Sequence, residues 1–126
     1  MLIAVAGPYS ADTSEQRQRN LNAMNEAAAA VMMRGHVPVV GVNAALPVVE
    51  CLRAGAMQYE AIMTISLALV DKCDAILMIG ESAGANRERD LVKEKGLPVY
   101  TYISEIPLGS ASNSARRCCT KDEEAS

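Results

Sequence analysis

Two short runs of this chain are apolar at every position: Leu2-Ile3-Ala4-Val5-Ala6 and Ala75-Ile76-Leu77-Met78-Ile79. The first ends at Gly7-Pro8 and the second at Gly80, so each reads as a buried strand followed by a turn. Strands that are apolar on both faces need cover on both sides. When helical stretches join them, they belong to a parallel sheet.

Helical patterns fill the intervals. Thr13 followed by Gln16 has the spacing of a capping box. The helix it opens is expected to run to about Arg34, with Leu21, Met24, Ala28 and Val31 or Met32 at helical spacing and Gly35 as its stop. Residues 36–41 read as a second strand, and Pro38 within it points to a sheet edge. The stretch 43–56 is less regular, and Pro47 could open a short helix there. A firmer helix is expected over 57–72. The strand that begins after Asp74 follows, then a helix over 83–95 stopped by Gly96, then a strand over 97–103 with Pro98 at its start. The order β-α-β-α-β-α-β predicts a single α/β domain at residues 1–107. It is a doubly wound parallel sheet, flavodoxin-like or Rossmann-like, with four to five strands and helices on both faces. Residues 108–126, rich in Gly, Ser, Asn and charge, are expected to be a disordered tail.

Composition excludes several classes. The net charge is −3, and no basic patch marks a nucleic-acid polymer as partner. The near-apolar stretch 61–70 is too short to span a bilayer, and no secretory signal is visible, so the expectation is a cytoplasmic protein without membrane contact. Without Trp or Phe, the core must be built from aliphatic residues and the seven methionines. Cys51, Cys73, Cys118 and Cys119 lack metal-ligand or disulfide spacing and read as reduced thiols. The single histidine, His36, weakens any Ser-His-Asp or Cys-His scheme, and it precedes the second strand, at the end of the sheet away from the expected site. No GxGxxG or Walker lysine motif is present, so neither a dinucleotide nor any other cofactor is expected.

In a sheet of this type, ligands bind beyond the carboxyl ends of the strands. That rule gathers Gly7, Pro8, Tyr9 and Ser10, then Gly41, Val42 and Asn43, then residues 80–88. Glu88 is the most informative of these. It shares a helix face with Gly84, Ala85, Leu91 and Val92, and a carboxylate against a core is costly unless paired or functional. An ordinary Glu at the edge of the stripe is the equal alternative. Ser82 is either a plain N-cap or, with Gly84, part of a helix N-terminus that receives an anion or a sugar hydroxyl. Tyr9 suits a ligand mouth, or simply covers the core edge. Asn43 is either loop structure or a ligand contact.

The runs Ala6-Gly7-Pro8-Tyr9-Ser10, Asp74 to Ile79, Ser82-Ala83-Gly84-Ala85-Asn86-Arg87-Glu88 and Gly96-Leu97-Pro98-Val99-Tyr100 together resemble the nucleoside 2-deoxyribosyltransferase superfamily. The nearest likeness is to its small members and to the deoxynucleoside-monophosphate N-glycosidases. The resemblance covers residues 2–103. It implies that Glu88 attacks the anomeric carbon of a (deoxy)ribosyl group in a nucleoside or its 5′-monophosphate and displaces the base. A covalent glycosyl-enzyme then passes the sugar to water or to another base. It also implies that Tyr9 orients Glu88, that Ser82 and the helix N-terminus meet a 5′-phosphate, that Gly7 and Gly84 admit the sugar, and that the chain forms a homo-oligomer. One position departs. The family's Asp eight residues before the Asp that opens the third strand is here Ser66, with Thr64 nearby and Asp71 closer to the strand. Two alternatives stand beside this reading: a non-catalytic nucleotide-binding module, and a structural oligomerising domain in which Glu88 pairs with Arg53 or Arg87.

Overall fold

A computed structural model of the chain describes residues 1–53 and 55–109. The elements are β1 (Leu2–Ala6), α1 (Ser14–Met33), β2 (Val37–Val39), α2 (Gly41–Leu52), α3 (Gln58–Val70), β3 (Ala75–Met78), α4 (Ala83–Glu94) and β4 (Val99–Tyr100), with single 3-10 turns at Gly55–Met57 and Ile103–Glu105. The four strands form one parallel sheet in the order β2-β1-β3-β4. This is the doubly wound arrangement expected from the sequence. The strand order reverses between β1 and β3, which opens a crevice beyond their carboxyl ends.

The period of two in β1 and β3 divides the core. Ile3, Val5, Ala75 and Leu77 pack on one face with Met24 and Val31 of α1. Ala4, Ala6, Ile76 and Met78 pack on the other with Val70, Ala85 and Val92 of α3 and α4. Every residue of β3 is buried, as its unbroken apolar run requires. Burying each such aliphatic side chain is worth about 1.5–3 kcal/mol.

The helix ends follow local rules. Thr13 Oγ1 accepts from Gln16 N at 3.1 Å. The Gln16 side chain turns instead to Asn20 and Arg19, so only half of the expected capping box forms. Gly35 and Gly96 take φ of 88° and 73° just past α1 and α4, the left-handed stop that favours glycine.

Three boundaries differ from the sequence reading. The strand expected over 36–41 pairs only at Val37–Val39, and Gly41 already opens α2. Pro38 does lie in an edge strand, opposite Ile3. Pro47 falls inside α2 rather than opening a helix. A proline there removes one helix hydrogen bond, and burial of Ala45 and Val49 against Ile62 of α3 holds the helix together regardless. The strand expected over 97–103 stops at Tyr100 because Glu105 Oε1 accepts from Thr101 N and Tyr102 N, both at 2.8 Å. Those bonds bend the chain into the turn Ile103–Glu105 and hold the Glu105 carboxyl below its ordinary range.

Of the tail expected from 108 onward, Leu108 and Gly109 are described, and Gly109 N donates to Arg34 O at 2.7 Å. The rest, including Cys118 and Cys119, lies outside the described residues. Cys51 is exposed and free, and Cys73 is buried and free. Burial pushes the Cys73 thiol up to about 11. Among the described residues no helix is long and apolar enough to cross a membrane.

Candidate functional site

The crevice between β1 and β3 holds a cavity of about 150 Å³. Its floor is Val5 of β1 and Met24 of α1. The turn after β1 contributes Gly7, Tyr9 and Ser10, and the start of α2 contributes Gly41 and Val42. Tyr59, Ile62 and Met63 of α3 form one wall. Ser82 to Ala85 and Glu88 of α4 form the other. Three chain segments expected to meet at this sheet edge do meet there. Asn43 and Pro8 are absent from the cavity wall. Asn43 is exposed in the first turn of α2, where its Nδ2 donates to Asn25 Oδ1 at 2.6 Å. That bond links α2 to α1.

Glu88 is the only charged side chain among the described residues lining the cavity. It is 5% exposed and shares the inner stripe of α4 with Ala85 and Val92. Burial lifts its carboxyl above the ordinary range, and a hydrogen bond from Ser66 pulls the other way. Ser66 Oγ donates to Glu88 Oε1, and this is a short contact between two buried groups. No buried side-chain oxygen or nitrogen among the described residues lacks a partner.

Neither proposed arginine partner reaches Glu88. Arg87 Nη1 bonds Glu60 Oε1 at 3.0 Å, and its guanidinium lies 5.8 Å from the centre of the Tyr59 ring. Arg53 is exposed just past α2, in a left-handed conformation. Among the described residues no ion pair reaches Glu88. Asp71, the carboxylate closest in sequence to Ser66 on that side, caps α3 and pairs with Lys95 at 2.5 Å, which holds its carboxyl low.

Tyr9 faces the same cavity as Glu88. The turn that carries it is tied to α1 by Asn20 Nδ2, which donates to Tyr9 O at 3.0 Å. The hydrogen bond that orients Glu88, however, comes from Ser66 rather than from Tyr9. Ser82 is the N-cap of α4, with its Oγ accepting from Ala85 N at 3.0 Å, and it also lines the cavity. Gly7 and Gly84 bring backbone to the cavity surface. A Cβ on Gly84 would press on Met63 Sδ at 3.1 Å.

From α3 the sequence marked only Ser66, as the place of the family's Asp and not as a partner of Glu88, yet Tyr59, Ile62 and Met63 form a wall and Ser66 holds the carboxylate. A signal was present. Ile62, Ser66 and Val70 recur every four residues on one face of α3, and a hydroxyl set in an apolar stripe needs a partner.

The site can therefore present a desolvated carboxylate, held at one oxygen, to a small ligand. No group of three or more metal-ligating side chains occurs among the described residues. The family model for a domain of unknown function, DUF4406, matches residues 1–101, so the chain belongs to that family. No curated protein matches the chain.

Proposed function

We propose that this DUF4406 member cleaves the N-glycosidic bond of a (deoxy)nucleoside or its 5′-monophosphate, with Glu88 as nucleophile. The observation that carries the reading is Glu88 itself. It is a buried carboxylate with one hydroxyl donor, and it faces a cavity at the switch point of the sheet. The sequence resemblance supports the same chemistry.

A carboxylate oxygen of Glu88 attacks the anomeric carbon. The carbon–nitrogen bond breaks, and its electron pair leaves with the base. Water then attacks the glycosyl–Glu88 ester and releases the sugar, or a second base takes it. Gly7 and Gly84 leave room for the sugar, and the N–H groups at the start of α4 face its 5′ end. The apolar wall of Ile62, Met63 and Tyr59 suits a flat base. In this reading the enzyme is cytoplasmic, serves nucleotide metabolism and forms a homo-oligomer. Val48, Leu52 and Met57, which are 49%, 61% and 64% exposed around the end of α2, support a subunit contact there.

Ser66 favours one other reading, a nucleotide-binding module without turnover, because the helix facing Glu88 offers a hydroxyl and no second carboxyl. Base release from a panel of nucleosides and 5′-monophosphates, with and without an acceptor base, separates the two. Free base from the wild type and none from Glu88→Ala is the expected result. Ligand binding without base release by either protein would leave the binding module.

A further inference from the structure

Ser66 is fully buried, at 0% exposure, and its hydroxyl has one proton to give. In the middle of a helix, a serine hydroxyl ordinarily turns back to a carbonyl of the preceding turn or out to water. Here it crosses from α3 to α4 and donates to Glu88 Oε1. Room for it comes from a third element. Gly41 opens α2 against Ser66, and a Cβ there would collide with Ser66 Oγ and lie 2.8 Å and 3.0 Å from Ser66 Cβ and Cα. Three elements thus converge on one carboxylate oxygen: α2 through the missing Cβ, α3 through the hydroxyl, and α4 through Glu88.

We infer that Ser66 is the positioning residue of the reaction, pinning Oε1 of Glu88 so that Oε2 is the oxygen presented to substrate, with Gly41 as the space this arrangement requires. The inference rests on the glycosidase reading. The donor stabilises the charged form of a group whose surroundings disfavour charge. It also fixes the rotation of a side chain that would otherwise sample several rotamers, and orientation of a nucleophile is worth much of a rate enhancement. Ser66 is not on the cavity wall, so it touches no substrate and acts through Glu88 alone.

The titrating groups around Glu88 are few. Tyr9 and Tyr59 are phenols across the cavity. Cys73, at the foot of β3, is pushed up to about 11 by burial first, then by the charges of Asp74 and Glu88. Arg87 and Arg89 on α4 are engaged with Glu60 and with Glu81 and Asp90. No other carboxyl and no imidazole among the described residues lines the cavity, and the directly measured Glu88 titration assigns the acid limb of the pH–rate profile.

The test is Ser66→Ala, with Ser66→Cys as a weaker donor of similar shape in case the alanine variant fails to fold. Two quantities are followed: kcat and KM for base release across pH, and the Glu88 carboxyl titration in the free protein. The titration uses carbon-13 glutamate, assigned with Glu88→Gln. The expected result for Ser66→Ala is a loss of about 10- to 100-fold in kcat at neutral pH with KM little changed, the size of one hydrogen bond to a charged group. The acid limb and the Glu88 titration should both move to higher pH, with Ser66→Cys between the alanine variant and wild type. Folded variants with wild-type kcat and an unmoved Glu88 titration overturn the inference. If the titration moves but the wild type itself releases no base, the hold on Glu88 stands and the glycosidase reading falls alone.

Discussion

The two ends of the parallel sheet treat their buried polar groups in opposite ways. At the amino ends of the strands, His36 is 5% exposed and both ring nitrogens are used. Nε2 donates to Pro107 O at 2.6 Å, and Nδ1 accepts from the Met1 nitrogen at 2.8 Å. Leu2 N donates to Asp74 Oδ2, and Arg34 Nε to Ile106 O, each at 2.8 Å. These bonds tie residues 106 and 107 to the segment between α1 and β2, and β1 to Asp74 before β3. At the carboxyl ends, Glu88 is equally buried but has one donor to one oxygen and a cavity in front of it. A polar group with every partner supplied by the protein contributes rigidity. One with spare acceptor capacity beside a cavity is available for a ligand.

Substitutions can break this contrast. The largest effect is expected from His36→Ala, which removes a buried ring and strands the Pro107 carbonyl. Urea denaturation should show a loss of about 2–4 kcal/mol, while kcat measured well below the melting temperature stays at the wild-type value. A fall in kcat in still-folded protein would mean that the two ends are coupled.

Gly41→Ala comes next. Its methyl group meets the backbone and hydroxyl of Ser66, and relief of such overpacking costs about 1–3 kcal/mol. Because the displaced group is the one that holds Glu88, activity should fall in parallel, unlike at His36. Stability and kcat both at wild-type level would show that α2 yields without moving Ser66.

Glu88→Gln should give the smallest change in stability, in the opposite direction. Burial lifts the folded-state carboxyl above its ordinary range, so between that range and the folded midpoint the native state holds more protons than the unfolded one. Stability therefore falls as pH rises through this window. Gln keeps an acceptor for Ser66 and carries no charge. At pH 7 it should be the more stable protein, with base release lost and the advantage over wild type vanishing as the pH falls through the ordinary carboxylate range. Thermal melts across pH read this directly, and a wild type more stable than Gln at pH 7 would count against a desolvated carboxylate.

Much of this arrangement was legible in the residues. The glycine stops at Gly35 and Gly96, the edge strand with Pro38 and the fully buried β3 follow from local pattern, because backbone freedom and side-chain period are local properties. So does the inward face of Glu88, four residues from Gly84 and from Val92 on α4. The ends of β2 and β4 were less legible. Val40 and Thr101 carry strand-like patterns, but pairing stops before them because Gly41 already opens α2 and because the Glu105 carboxylate takes the Thr101 and Tyr102 N–H groups, features that pattern does not encode. Asn43 was drawn to the site by its place after β2, yet it is turned outward once Gly41 opens a helix.

The sequence by itself determined β1, α1, β3 and α4, and that Gly7, Ser82 and Glu88 share one edge of a parallel sheet, since these depend on period and order along the chain. Only the tertiary structure decided which group touches Glu88. Ser66 and Glu88 are 22 residues apart, and Gly41 is farther still. Their meeting depends on how α2, α3 and α4 pack together, and helix packing is set by the shapes of whole side-chain surfaces rather than by any spacing along one of them.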